Sequence, residues 1–241
     1  MTPLDQLNRD GFTILEDVFD QDSIRQMITT IQTADNDNAA FRKTKDLFAI
    51  RQVLKEVPAL VPLVFTPKFL RYLQKDHFIV KSIYFDKPGT SNWFVSYHQD
   101  LTITVDRKEK IAGFGPWTVK QDQFAVQPPV NILENMFTMR IHLDDTDENN
   151  GALKVIPGSH LKKIYRPETI DWSVEKETTC CVPKGGVMVM KPLLLHASGR
   201  TVNGRNRRVL HIEFCNKELP APLTWAERLN YNECVSTISN T

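Results

Sequence analysis

Net charge is almost absent from this chain: 30 Lys and Arg stand against 29 Asp and Glu, a formal +1 over 241 residues. Such a balance offers no strong field to nucleic acid or to an anionic membrane, and the run RNRR at 205–208 is too short to change that. Long apolar runs are missing as well, and nothing approaches the roughly 20 residues that cross a bilayer. The opening MTPLDQLNRDGF has no charged segment followed by an apolar one, so a signal peptide is not expected. Cysteine is scarce: four residues, two of them adjacent (Cys180 and Cys181), with no CxxC spacing. That pattern excludes a zinc knuckle and a thioredoxin-type motif, and it fits reduced thiols in a cytoplasmic protein. Repeats and low-complexity linkers are absent too. The expectation is one domain over residues 1–241, with nothing in it that specifies an oligomeric state.

What is present divides near residue 77. The first part, about 1–76, reads as mainly helical. Residues 3–9 form a lead-in, GFTILEDVF alternates like a strand, and Asp20 or Asp22 caps a helix from about Ser23 to Thr33. Polar residues 34–46 read as a loop, followed by helices near 46–56 and 67–75 between prolines. From Phe78 to about 216 the texture is short β-rich runs separated by turn residues, seven in all. Helices first and strands afterwards predict a mostly β fold with an α-helical buttress on one sheet face. About 30 residues separate the strand carrying His98 from the one near Asn135; with Gly113, Gly115, Pro116 and Trp117, this stretch reads as an ordered lid or wall over a pocket.

Histidine is rare, six in all, which makes the placement of two of them informative. In YHQD, His98 and Asp100 stand two apart, and side chains two apart on a strand point the same way. His196 follows the apolar run PLLL. Two imidazoles and a carboxylate on one face suit iron, zinc or manganese and leave open positions for other ligands. A His-x-Asp pair alone is also what an ion-paired surface strand would show. Eleven residues past His196 comes Arg207, at the start of the apolar strand VLHIEF. An arginine buried there needs a negative partner, and a dicarboxylate could supply it.

Four pieces of the chain, in order, carry a family resemblance: WFVSYHQDL (93–101), LDDTDENNGALKVIPGSH (143–160), GGVMVMKPLLLHASG (185–199) and Arg207. Over roughly residues 10–215 the chain resembles the phytanoyl-CoA dioxygenase family of Fe(II)/2-oxoglutarate oxygenases. The resemblance implies a double-stranded β-helix (a cupin-like jelly roll), with Fe(II), 2-oxoglutarate and O2 as cofactor and co-substrates. It implies His98, Asp100 and His196 as metal ligands and Arg207 on the far carboxylate of 2-oxoglutarate. Strand phase leaves Arg208 as a rival, because 208 is in step with Leu210 and Ile212. The implied reaction decarboxylates 2-oxoglutarate to succinate and CO2 and hydroxylates an unactivated C–H bond of a small molecule, for which an amino acid or small carboxylic acid is the candidate. Desaturation, epoxidation or cyclisation are alternative outcomes, and a non-catalytic metal- or ligand-binding jelly roll is the alternative from another class. Halogenation is disfavoured, since Asp100 occupies the position a halide would need.

Other residues carry paired readings. Arg140 and His142 share one strand face; Arg140 either enters the pocket to hold a carboxylate of 2-oxoglutarate or substrate, or pairs outside with Asp144 or Asp145. Lys81 either neutralises a co-substrate carboxylate or is solvated. Trp117 either packs on substrate or anchors its loop in the core. His142, Trp117 and Tyr84 complete the candidate substrate residues. Trp93 reads as core, His160 as a turn residue, and His77 and His211 as structural.

Overall fold

The computed structural model describes residues 1–34, 40–43, 48–91, 93–120 and 123–236; of residues 42, 43 and 120 it describes the backbone alone. The amino-terminal part runs α1 (Pro3–Asp10), β1 (Phe12–Leu15), α2 (Gln21–Gln32), β2 (Phe41–Lys43), β3 (Phe48–Arg51), α3 (Val53–Glu56), α4 (Leu60–Val64) and α5 (Pro67–Leu70). There follow β4 (Phe78–Lys87), β5 (Val95–His98), β6 (Ile103–Val105), β7 (Trp117–Lys120), β8 (Gln123–Val126), α6 (Val130–Glu134) and β9 (Met136–His142). The chain ends with β10 (Leu153–Val155), β11 (Thr178–Cys180), β12 (Val187–Met190), β13 (His196–Ser198), β14 (Arg207–Cys215), β15 (Leu229–Asn230) and α7 (Tyr231–Ser236).

Local chemistry starts the helices where the sequence indicates. Thr2 and Asp5 form a reciprocal capping box ahead of α1, and Gly11 ends it in the left-handed region at φ 83°. Asp20, not Asp22, caps α2 by accepting from the Ser23 N–H. Ile24, Met27 and Ile31 then present one buried stripe.

The main antiparallel sheet has the order β1-β12-β9-β14-β4-β3-β2, with β15 also paired to β4. A smaller sheet, β11-β10-β13-β5, lies opposite. Met188 and Met190 of the main sheet pack with Leu153, Val155 and Cys180 of the smaller one, which closes the two into a jelly roll. The outer face of the main sheet carries Tyr84, Met139, Ile141, Leu210, Ile212 and Phe214, which share a core with Ile24, Met27, Leu60, Phe65 and Phe69 of the helical part. That is the expected buttress, and it buries the main sheet on both faces, so eight of the nine residues of β14 are buried, Arg207, His211 and Glu213 among them.

Two expectations for the amino-terminal part are corrected. Residues 41–43 and 48–51 are strands that extend the main sheet through the β3–β4 pairing, where a loop and a helix were expected. Short segments with one apolar turn do not distinguish helix from strand, and an available sheet edge decides the matter. The rest of the loop expectation, 35–39 and 44–46, lies outside the described residues. In the long connection after His98, the described residues form β7 and β8, which join β6 in a three-stranded sheet packed around Val105, Val126 and Trp225.

Candidate active site and metal centre

His98 and His196 come from neighbouring strands, and the β5–β13 register sets them directly opposite each other. Asp100 lies just past the end of β5, where its backbone N–H donates to Pro192 O at 2.9 Å. Asp100 Oδ1 is 3.8 Å from His98 Nε2, and Oδ2 is 3.8 Å from His196 Nε2. One ligand atom from each residue can be chosen so that all lie within 4.8 Å of one another. Each imidazole donates from Nδ1 to the carbonyl two residues before it: His98 to Ser96 O and His196 to Leu194 O, both at 2.9 Å. Those bonds fix the tautomer and leave both Nε2 lone pairs turned toward Asp100.

The protonation states suit a cation. Burial opposes ionisation of Asp100, but the fields of His196, His211, Lys81 and His98 outweigh it and hold the carboxyl at about 2. Burial pushes the His196 imidazole down to about 4, so it is neutral at physiological pH. A carboxylate and neutral imidazoles are the forms that bind metal. With two nitrogen donors and one oxygen donor converging on one point, the residues present fit a divalent transition metal with open positions.

The triad borders a cavity of about 230 Å³, also lined by Phe85, Lys87, Trp93, Arg140, Arg207 and His211. Arg207 is 6% exposed, and neither its Nε nor its Nη1 has a partner. Arg208 points the other way, making two bonds to Asp144 at 2.8 and 2.6 Å. The two arginines therefore serve opposite faces of β14. Arg140 is in the cavity wall and donates to His211 Nδ1 at 2.9 Å. It is Arg208 that pairs with Asp144.

Four other sequence-named residues take different places. Lys81 is on the same sheet face but pairs with Glu213 at 2.8 Å and lines a separate cavity with Arg51, Gln52 and Glu227. Tyr84 is a correction: it is on the outer face, edge-on to Phe48 in the helical core, because 84 is out of phase with the cavity residues Phe85 and Lys87. Trp117 packs in the cluster around Val105 and Trp225, the loop-anchor alternative, and does not border the cavity. The long connection accordingly walls the second cavity, through Gln123 and Phe124. His142 is buried beside the cavity, donating to Thr146 Oγ1 at 2.8 Å, with Nε2 unpartnered. His211 and Trp93, read as structural and core, line the cavity, as does the unforeseen Lys87. The register accounts for two of these, which no sequence motif marks: His211 is four residues from Arg207 on the same face of β14, and Lys87 sits opposite Arg207.

A jelly roll with two histidines, one carboxylate and a buried unpaired arginine around one cavity defines the class of 2-oxoglutarate-dependent oxygenases. The chain belongs to the phytanoyl-CoA dioxygenase (PhyH) family, whose family description matches residues 7–209; enzymes of this family use Fe(II), 2-oxoglutarate and O2. Solved structures agree on the fold. The non-heme α-ketoglutarate-dependent epimerase SnoN from nogalamycin biosynthesis matches at TM-score 0.65 and 13% identity, over 96% of this chain and 95% of that one. HygX from Streptomyces hygroscopicus, with nickel and 2-oxoglutarate bound, matches at 0.64 and 13%, over 94% and 90%. EctD from S. alaskensis, with 2-oxoglutarate and 5-hydroxyectoine, matches at 0.66 and 19%, over 88% and 74%. A comparison with curated protein sequences returns no match.

Proposed function

We propose that the protein is a hydroxylase of this class, acting on an unactivated C–H bond of a small molecule. The observation that carries the reading is the convergence of His98, Asp100 and His196 beside the unpartnered Arg207 in one cavity. His98 and His196 would hold Fe(II) through Nε2 and Asp100 through a carboxylate oxygen. Arg207 would take the distal carboxylate of 2-oxoglutarate, whose partner it otherwise lacks. The bound iron and co-substrate supply the oxidising chemistry. The chain supplies the rest. Ser96 O and Leu194 O hold the imidazoles in the metal-binding tautomer. Phe85, Trp93, Val95 and Leu153 give the cavity apolar walls that restrict water. Asp100 fills the coordination position that a halide would require, which favours hydroxyl transfer over halogenation.

Anaerobic titration of metal-free protein with Fe(II) and 2-oxoglutarate tests this. A visible charge-transfer band is expected, and its loss in folded His98→Ala. Succinate release that rises when a substrate is supplied, with an oxygen atom gained in the product, completes the assignment. Folded wild-type protein that gives no band would refute it.

A further inference from the structure

Three cations converge on the cavity, and one carboxylate answers them. Lys87, Arg140 and Arg207 are 1%, 8% and 6% exposed, and Asp100 is the single acid among the described residues lining the space. No described carboxylate forms an ion pair with any of the three. Lys87 Nζ donates to the Gly199 carbonyl at 2.6 Å, and Arg140 donates to a neutral ring nitrogen of His211. The Nε of Arg140 and the Nε and Nη1 of Arg207 have no partner. Cations buried without a counter-ion are costly, and their retention marks the position of an anion.

The proposed function accounts for part of that charge. A divalent ion is balanced by Asp100 and the carboxylate that chelates it, and the second carboxylate of 2-oxoglutarate balances Arg207. Lys87 faces Arg207 directly in the β4–β14 register and belongs to the same end. Burial first, then Arg207 and Arg200, bring Lys87 down to about 8, so it can shed its proton at modest cost. Arg140 has no such outlet. It lies opposite His211, four residues along β14 from the Arg207 row, which is about 13 Å of strand. Asp100 acts on the charge of Arg140, which places Arg140 beside the metal ligands, and the Arg140 charge in turn acts on Arg207.

The guanidinium is also deliberately held. Because Arg140 donates to Nδ1 of His211, that ring must carry its hydrogen on Nε2, from which it donates to Glu213 Oε1 at 3.0 Å. Glu213 Oε1 also accepts from Lys81 Nζ at 2.8 Å. A chain of four buried or half-buried polar groups thus ends in one guanidinium whose Nε is unspent, and no group beyond it completes the chain.

We propose that Arg140 anchors a negatively charged group of the substrate itself, so that the enzyme oxidises an organic anion, with the carboxylate or phosphate on Arg140 and the reacting carbon over the metal. This deepens the oxygenase reading and rests on it. The test uses the full chain loaded with Mn(II) and saturated, without oxygen, with N-oxalylglycine, an unreactive mimic of 2-oxoglutarate. Monocarboxylates from acetate to benzoate are then titrated, each against its primary amide, with calorimetry and the fluorescence of cavity-lining Trp93 as readouts. The best carboxylate is expected to bind at least tenfold tighter than its amide. Arg140→Gln should erase that preference while N-oxalylglycine affinity stays within twofold, and Arg140→Lys, which keeps the charge if the glutamine variant does not fold, should retain part of it. Equal or undetectable binding of acid and amide by wild-type protein would overturn the proposal. So would an Arg140→Gln protein that keeps the preference but loses N-oxalylglycine, which would assign Arg140 to the co-substrate. Wild-type protein that does not bind N-oxalylglycine at all overturns the oxygenase reading beneath it.

Discussion

Arg207 and Arg208 are adjacent, identical in chemistry, and opposite in fate. Arg207 meets no acid among the described residues and has two orphaned donors; Arg208 is committed to Asp144 by two charge-assisted bonds. Substitution should separate them. In the role proposed for it, Arg207 makes a charge-assisted bidentate contact to 2-oxoglutarate, about 1.5–3 kcal/mol per bond, so Arg207→Ala should raise the KM for 2-oxoglutarate at least about tenfold. Arg208→Ala should leave that KM unchanged and cost about 1–2 kcal/mol of stability, read as a lower denaturant midpoint. A rise in KM from Arg208→Ala, with none from Arg207→Ala, would reverse the assignment. The sequence left this pair open because strand phase is informative only when one face is wet, and β14 is buried on both. His98, Asp100 and His196 were legible because a three-residue spacing motif and a rare residue type coincide. His211 and Lys87 were not, because neither contributes to a motif: each owes its place to the register of β14 with its neighbours.

At the scale of elements, the cavity depends on a turn that approaches it from outside. Gly151, between β9 and β10, has φ 87°, and a Cβ there would lie 3.0 Å from Lys87 Nζ and 2.8 Å from Gly199 O. The turn Asn149-Asn150-Gly151 therefore does more than reverse the chain: its bare glycine leaves room for the Lys87–Gly199 bond at the Arg207 end of the cavity. Gly151→Ala combines backbone strain with displacement of a buried lysine, and about 1–3 kcal/mol of destabilisation is expected in a denaturant titration, together with weaker 2-oxoglutarate binding. A fully stable variant with native affinity would mean that the turn relaxes freely. The sequence identified this turn by composition and could not assign it a neighbour, since Lys87 and Gly199 are distant in the chain. The same limit explains the misread segment 48–51: FAIR has no strong period of its own, and its strand state comes from pairing with Phe85 and Tyr84 across β4.

Across the whole molecule, the jelly roll, the helical buttress and the carboxy-terminal segment meet at one buried acid. Glu227 accepts from the Ser82 N–H on β4 and from Ser82 Oγ, both at 2.6 Å, while Ser82 Oγ accepts from the Leu54 N–H on α3 at 3.0 Å. Burial is the main cause of a Glu227 pKa raised to about 7; the Ser82 bonds and Lys55 pull it down, and Glu213 pushes it up. An acid raised on folding keeps its proton at pH values where the unfolded chain has lost it. Between about pH 4.5 and 7 the folded state thus binds more protons, and stability falls as pH rises, by a ceiling of about 3 kcal/mol that is fully lost above pH 7. Glutamine is uncharged at every pH, and its carbonyl can still accept from the Ser82 N–H. Glu227→Gln should therefore gain on wild type between pH 5 and pH 8 in urea titrations, flattening the decline that wild type shows across that interval. The two proteins differ at this carboxyl alone, so the difference between their profiles isolates Glu227. Parallel pH profiles for wild type and Glu227→Gln would mean that the acid is ionised throughout, and that its bonds to Ser82 outweigh the cost of burying its charge.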